Sequence, residues 1–205
     1  MNQILREEIR QGTFLQSIVG RNFEFAIAVL ELSRFGLTNE LSAAESVLKE
    51  NIDIGVALLL DSKFLLVEVY LQQGRISSAQ EQFTIAQDRL SEAARETNLF
   101  RVLRANAELQ IALAEDHWDK AVEASRTSIE IYKNCGHRWG WARRLIDLGD
   151  ALVGRNQSGD LKRARKTYQQ SLDMFTEMGA PGYVKVLEER LADPGQFLPG
   201  TDIGD

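Results

Sequence analysis

Proline is absent from the first 180 residues of this 205-residue chain, and its absence limits the folds that the chain can adopt. The three prolines are Pro181, Pro194 and Pro199, whereas an average content of about 5% would place roughly nine before residue 181. Proline suits turns and strand edges, but in helices it is confined to the first turn. The sequence therefore predicts an all-α protein and argues against a fold of many short strands.

Three segments share apolar and small residues at helical spacing. Each has an apolar residue, a small residue three positions later, and a second small residue after seven more. These positions lie on one helix face, where small side chains let a neighbouring helix approach closely and Phe83 or Tyr168 fills the space beside it. The alanines at 79, 121 and 164 are 42 and 43 residues apart. The paired small residues are Ala79 and Ala86, Ala121 and Ser128, and Ala164 and Ser171.

Each segment follows an upstream apolar helix, so the repeating unit is predicted to be a pair of antiparallel helices. Ser158 is a plausible N-cap for the last second helix. A single-striped helix after the last pair is predicted to cap the stack, since terminal repeats need a polar outer face. The predicted units are about 21–52, 53–95, 97–135 and 139–178, with a capping helix over 181–192. Residues 1–192 then form one helical repeat domain, and residues 193–205 form a C-terminal tail.

Residues 63 to 178 resemble the tetratricopeptide repeat family. The family repeats every 34 residues, so these units are longer by about two helical turns. Long-helix variants resemble the sensor regions of large bacterial signalling proteins, among them STAND-class ATPases, cyclase-linked regulators and transcriptional activators. The resemblance implies a right-handed α-solenoid that binds proteins as part of a larger bacterial regulator. The residues that carry it most closely are Leu145, Leu148, Gly149, Leu152, Leu161, Ala164, Tyr168 and Ser171.

In tetratricopeptide arrays the first helix of each pair lines a concave groove, and the resemblance implies which residues here face it. Polar groups above apolar stems suit an extended peptide or another helix. The family's clamp of lysines and asparagines is not reproduced, because Asn106 stands without the paired lysines. A second copy of the chain, burying the apolar first half, is an alternative partner. The predicted partner-binding residues are Phe64, Glu68, Leu71, Asn106, Gln110, Arg143, Asp147 and Asp150.

Cys135 and His137 are the one cysteine-histidine pair that could form a nucleophilic dyad. We interpret them as residues of a loop between two helices. One cysteine and two histidines cannot complete a Cys/His zinc site within one chain, and common hydrolase, phosphate-loop and dinucleotide motifs are absent. The sequence predicts no catalytic residue, metal or cofactor; the alternative is a small-molecule sensor or enzyme that uses Cys135 and His137.

Charge and hydropathy bear on partners and location. The formal net charge of −6 gives no general attraction to nucleic acid or anionic lipid. The most apolar window, Ile52 to Leu71, contains four charged residues and is unsuited to a membrane span, and the N-terminus lacks the pattern of a secretory signal. We expect a cytoplasmic protein with a protein or peptide partner, and neither a membrane nor a nucleic acid as partner.

Two basic clusters are interpreted as solvated helix faces beside buried tryptophans. The reason is that neighbouring acidic residues dilute their positive charge. The clusters are Arg138, Arg143 and Arg144, and then Lys162, Arg163, Arg165 and Lys166; the acids are Asp147, Asp150, Asp160 and Glu177, and the tryptophans are Trp139 and Trp141.

Overall fold

The computed structural model describes residues 38–54, 59–88 and 97–195, together with the helical residues Ala26, Val29, Leu30 and Ser33. All the regular secondary structure in these residues is helical, which confirms the all-α prediction for them. None of their helices combines the length and apolar character that a membrane span requires. The helices are α1 (Leu41–Ile54), α2 (Leu59–Gln72), α3 (Ile76–Asp88), α4 (Asn98–Ala114), α5 (Trp118–Asn134), α6 (Arg138–Arg155), α7 (Asp160–Glu177) and α8 (Pro181–Ala192).

The chain divides into two compact units, Met1–Arg89 with α1 to α3 and Leu90–Asp205 with α4 to α8. In the second unit each helix packs against its successor, and connections of three or four residues make neighbours antiparallel. The pair α4–α5 lies within the predicted range 97–135, the pair α6–α7 spans 138–177 beside the predicted 139–178, and α8 occupies 181–192. Most of the predicted first unit before residue 38, and tail residues 196–205, lie outside the described part.

The small residues of the repeat pattern lie where helices meet, as their spacing predicts. Tyr168, which is predicted to fill the space beside them, is also fully buried, whereas Phe83 is half-buried. The hydroxyl of Ser171 donates a 2.8 Å hydrogen bond to the carbonyl oxygen of Ala142 on the preceding helix. Fully buried small residues are Ala79, Ala86, Ala121, Ser128, Ala164 and Ser171.

Two glycines of α6 allow aromatic rings of α5 to reach the α6 backbone. A Cβ atom on Gly140 would lie 2.5 Å from Cε1 of Tyr132, and one on Gly154 would lie 2.5 Å from Cε3 of Trp118. Real Cβ atoms do not approach other atoms this closely, so glycine is needed at both positions in this packing. The two contacts also fix the antiparallel register, because Tyr132 lies level with Gly140 and Trp118 with Gly154.

A buried ion pair holds the turn between α6 and α7. Asp160 is fully buried, and its carboxylate accepts hydrogen bonds from Nε and Nη2 of Arg155 at 2.9 Å each and from the backbone N of Gln157 at 3.0 Å. The hydrogen-bonded Arg155 guanidinium lowers the pKa of Asp160. The predicted N-cap at Ser158 is wrong, because Gly159 takes that position with a φ of 80°. The carboxylate of Asp160 organises this turn instead.

In the first unit, Glu45 of α1 binds the turn that follows α2. Its carboxylate accepts hydrogen bonds from Lys49 Nζ at 2.7 Å, Arg75 Nη1 at 2.8 Å and Gln73 Nε2 at 3.2 Å. Burial by itself would raise the pKa of Glu45, but the hydrogen bonds from these donors lower it overall. The ionised form of Glu45 therefore stabilises the contact between α1 and the α2–α3 turn.

The third glycine of α6 provides a test of the packing. A Cβ atom on Gly149 would overlap the fully buried ring of Tyr168, so Gly149→Ala should lower the free energy of unfolding by about 1–3 kcal/mol. Urea unfolding followed by circular dichroism measures this loss. Gly182→Ala, at an exposed position in the first turn of α8, is the matched control and should cost nothing. Equal stability of the two variants would contradict the close contact.

Glu45 predicts a dependence of stability on pH. Because the pKa of Glu45 is lowered in the folded state, its stabilising effect is complete above the unfolded value of about 4.3 and is lost as the pH falls through the folded value. Glu45→Gln should be less stable than the wild type at neutral pH and should lose less stability between about pH 5 and pH 3.

Urea unfolding at several pH values tests this expectation. Glu81→Gln, at an exposed position on α3, is the control and should keep the wild-type pH profile. A Glu45→Gln profile parallel to that of the wild type would contradict the role assigned to Glu45.

Candidate functional site

The predicted partner-binding residues of the second unit lie on α4 and α6. Asn106 and Gln110 are one helical turn apart on α4, and both are half-buried. Arg143, Asp147 and Asp150 share one face of α6, and each of these residues is only 8–9% exposed. The structure therefore leaves the α4 amides partly accessible, while the charged residues of α6 lie largely inside the fold.

The other predicted residues belong to the first unit. Phe64 is buried and its ring contacts Phe83 edge-on, with the ring centroids 6.1 Å apart. Glu68 and Leu71 are half-buried on the same helix, α2. Phe64 thus contributes to the packing of α2 on α3, whereas Glu68 and Leu71 keep part of their surface exposed.

Asp150 lies at the centre of a network that joins α6, α7 and α8. Its carboxylate accepts hydrogen bonds from the Tyr168 hydroxyl at 2.7 Å and from Arg190 Nε and Nη2 at 2.8 and 3.1 Å. Burial raises the pKa of Asp150. Burial also raises the pKa of Tyr168, and the charge of Asp150 raises it further. Although burial opposes it, the same carboxylate raises the pKa of Arg190.

Arg190 is a site residue that the sequence did not identify. The predicted capping helix has one apolar stripe, and this pattern indicates where α8 is buried but not which polar residue accompanies it. Arg190 follows the fully buried Leu187 by three positions and hence projects from the same side of α8. This spacing is the only sequence signal that it carries.

Arg144 is a second buried cation on α6. Its side chain is 4% exposed, and its Nη1 lies 3.1 Å from Oδ2 of Asp147. Its Nε atom has no hydrogen-bond partner among the described residues. The interpretation of Arg143 and Arg144 as members of a solvated basic face is wrong, because both are buried.

The α4 amides expose one part of each side chain and bury another. Nδ2 of Asn106 donates a 3.0 Å hydrogen bond to the hydroxyl of Tyr132 on α5. The other amide atom, Oδ1 of Asn106, is buried, as is Nε2 of Gln110, and within the described structure neither has a hydrogen-bond partner. Buried polar atoms are rarely left in this state, because each costs desolvation energy.

Two hydroxyl groups of α5 are also buried without a hydrogen-bond partner among the described residues. Ser125 and Ser128 are fully buried, and in the described part of the chain their Oγ atoms have no hydrogen-bond partner. The α5–α6 register places Ser125 level with Asp147 and Ser128 level with Arg144. We call the set of Asn106, Gln110, Ser125, Ser128, Arg144 and Asp147 the polar layer. It crosses the middle turns of α4, α5 and α6.

Cys135 and His137 occupy the turn between α5 and α6, and each has a backbone partner. The thiol of Cys135 donates to the carbonyl oxygen of Tyr132 at 3.4 Å. Nδ1 of His137 accepts a 3.0 Å hydrogen bond from the backbone N of Gly140, which makes His137 the side-chain N-cap of α6. A dyad needs the imidazole to accept the thiol proton, whereas here Nδ1 is occupied by a backbone amide. The arrangement is typical of a capping turn.

The tryptophans of α6 are less buried than the sequence predicts. Trp139 is 42% exposed, and its ring packs edge-on against Phe175 and Tyr183 at centroid distances of 5.1 and 5.4 Å. Trp141 is half-buried, with Nζ of Lys133 5.7 Å from its ring centroid. The prediction that both are buried is therefore wrong, because Trp139 is exposed and Trp141 is only half-buried.

Replacing Arg190 by methionine tests the Asp150 network. The change removes the cation and keeps much of the side-chain volume, so Asp150 would stay buried with the Tyr168 hydroxyl as its remaining donor. Removing one partner of a buried ion pair costs about 3–5 kcal/mol. The loss should grow with pH. Burial raises the pKa of Asp150 and Arg190 lowers it, so without Arg190 this pKa rises further above the unfolded value of about 3.9. The folded variant then holds a proton that the unfolded chain has released up to a higher pH than the wild type does, and its stability falls further as the pH rises.

Urea unfolding at about pH 5 and about pH 8 measures the effect, with the double variant Asp150→Asn/Arg190→Met as the control. The double variant carries no buried charge at this position and should recover part of the loss at the higher pH. An equal and pH-independent loss in the single and double variants would contradict the network.

Comparisons with protein-family models and with curated proteins give no match to this sequence. The resemblance to tetratricopeptide repeats therefore rests on the residues of the sequence and stays a prediction.

Proposed function

We propose that this chain is a non-catalytic module for protein-protein interaction or sensing, and that it binds a peptide or a helix through the α4 amides and the adjoining α6 surface. The observation that carries the proposal is the polar layer. At Asn106 and Gln110 it reaches the surface, and there the amides combine partial exposure with buried atoms that have no hydrogen-bond partner in the described structure.

Side-chain amides suit a peptide ligand. Each carries both a donor and an acceptor, as does every peptide group of a ligand backbone. Asn106 is held by its hydrogen bond to Tyr132, so it is already ordered before a partner arrives. Ordering in advance reduces the entropy that binding must remove. The spacing of one helical turn between Asn106 and Gln110 offers two such contacts along α4.

The charged residues of α6 contribute to this surface by fixing the position of the helix. Asp150 is held by Arg190 and Tyr168, and Asp147 by Arg144. We infer that they orient α6 and set the local electrostatic field, while the half-exposed amides make the direct contacts. Buried ion pairs are better suited to fixing one arrangement of helices than to adding stability.

A non-catalytic function is supported by the α5–α6 turn. Using Cys135 and His137 as a dyad would require His137 to release the backbone N of Gly140 and uncap α6.

The proposed architecture is a right-handed solenoid of tetratricopeptide type, supported by consecutive helices of 17, 17, 18 and 18 residues in α4 to α7. Helices of these lengths are typical of the long-repeat variants. They therefore also support the proposal that the chain is part of a larger bacterial signalling or transcription regulator.

Paired alanine substitutions test the binding surface. Peptides selected from a displayed library against the full chain should bind the variant Asn106→Ala/Gln110→Ala at least about tenfold more weakly, a change of about 1.4 kcal/mol in binding free energy. The matched control is Asn134→Ala/Gln170→Ala, two exposed amides elsewhere on the second unit. Fluorescence anisotropy measures the affinities, and circular dichroism verifies the fold.

A second pair of substitutions distinguishes the alternative function, a site at Cys135 and His137, from peptide binding at the α4 amides. Cys135→Ser/His137→Asn replaces the thiol by a hydroxyl donor and keeps a good N-cap side chain, so it should leave peptide affinity unchanged. Loss of binding in this pair, or no loss in the α4 pair, would contradict the proposal and favour a site at the α5–α6 turn.

A further inference from the structure

The first two turns of α7 carry an exposed basic surface with an exposed leucine beside it. The leucine, Leu161, is 51% exposed, which is unusual for a large apolar side chain in a helix that is otherwise well packed. The cations occupy four of the next five positions, and all are exposed. We call this set the α7 patch: Leu161, Lys162, Arg163, Arg165 and Lys166.

Of the acidic residues expected to dilute this charge, Asp160 is the one that contacts a patch cation, Arg163, among the described residues. Asp147, Asp150 and Asp160 are all buried, and Asp160 is fully buried under the guanidinium of Arg155. Glu177 hydrogen-bonds to Arg138 at the opposite end of α7, about 16 Å along the helix from the last cation of the patch. The expected dilution therefore reaches Arg163 and leaves Lys162 and Lys166 without an acidic partner among the described residues.

The two arginines of the patch are partly engaged. Nη2 of Arg163 lies 2.7 Å from Oδ1 of Asp160, and Nη1 of Arg165 donates to the carbonyl oxygen of Leu191 at 3.3 Å. Lys162 and Lys166 form no ion pair with a carboxylate anywhere in the described part of the chain. The lysines are thus the uncompensated charges of the patch.

The neighbouring helix does not supply the missing anions. α8 ends beside the patch, since its Leu191 accepts the hydrogen bond from Arg165. Its acidic residues Glu188 and Glu189 are exposed, but among the described residues neither is paired with a patch lysine.

The placement of these lysines opposes the local stability of α7. Lys162 and Lys166 are four residues apart, so their like charges face each other on the helix surface. Lys162 also lies in the first turn of α7, where the helix dipole favours anions and disfavours cations. Leu161 adds exposed apolar area at the same place. Sequences depart from these preferences for charge placement and apolar burial mainly where a surface serves a function.

We infer that the α7 patch docks an acidic segment of a partner protein, with an apolar side chain of that segment covering Leu161. An acidic segment would compensate Lys162 and Lys166, and its apolar residue would remove Leu161 from water. Single-stranded nucleic acid fits less well, because it requires aromatic side chains on which bases stack. The exposed Trp139 packs on Phe175, about 14 Å along α7 from Lys166. This inference concerns a different surface from the α4 amides and does not depend on them.

Binding of a designed probe tests the inference. The probe is a fluorescein-labelled peptide of glutamate, aspartate and leucine, and the reference peptide has glutamine and asparagine in place of the acids. The full chain should bind the acidic probe in low salt, and the affinity should fall as salt increases. Lys162→Glu/Lys166→Glu should weaken binding at least about tenfold, and Leu161→Ser should weaken it in both low and high salt.

The matched control reverses two exposed cations on α5, Lys120→Glu/Arg126→Glu. It changes the net charge equally and should leave the affinity for the probe unchanged. Equal losses in the two charge-reversal variants, or no binding of the acidic probe by the wild type, would overturn the inference. Tighter binding of an oligonucleotide than of the probe, unaffected by Leu161→Ser, would also overturn it.

The stability of the free chain gives a second readout. Because Lys162 opposes the helix dipole, Lys162→Glu/Lys166→Glu should raise the thermal midpoint by about 2–4 °C. A purely structural role would give the opposite sign, because removing useful lysines destabilises the fold. A lowered or unchanged midpoint would overturn the inference.

Discussion

The close approach of aromatic rings to the backbone of α6 is the constraint on which the second unit depends. Tyr132 and Trp118 of α5 cover Gly140 and Gly154, and Tyr168 of α7 covers a third glycine. Helices that approach this closely leave little room for water between them, so an inward-pointing polar side chain of α6 is costly unless it is paired within the protein. Asp150 is paired with Arg190 and Asp147 with Arg144, whereas Nε of Arg144 has no hydrogen-bond partner among the described residues.

This constraint explains why the candidate site combines buried charges with half-exposed amides. Asp150 is accommodated inside the fold because Arg190 and Tyr168 hydrogen-bond to its carboxyl group. These bonds tie three helices together at one point. In the proposed function, helices fixed in this way would present the side chains of Asn106 and Gln110 to a partner at a defined spacing.

Periodicity predicted the features that depend on one helix alone. Ala164 and Ser171 share a face because seven residues make nearly two turns, and both are fully buried. Features that depend on a second helix were not predictable in the same way. Arg190 pairs with Asp150 across 40 positions, and no spacing within α8 indicates its partner. Arg144 was interpreted as part of a solvated basic face whose charge neighbouring acidic residues dilute, yet Arg144 is buried, because α6 packs against helices on both sides.

Net charge misleads for the same reason. The chain carries six more acidic than basic residues, which indicates a surface that repels polyanions. However, folding does not bury the acidic and the basic side chains of the second unit equally. Asp147, Asp150 and Asp160 lie inside the second unit, whereas Lys162 and Lys166 remain on its surface. A partner meets only the charges that folding leaves exposed. Because a Debye length of about 8 Å limits how far exposed charges act, the local sign on α7 is positive in a protein whose total is negative.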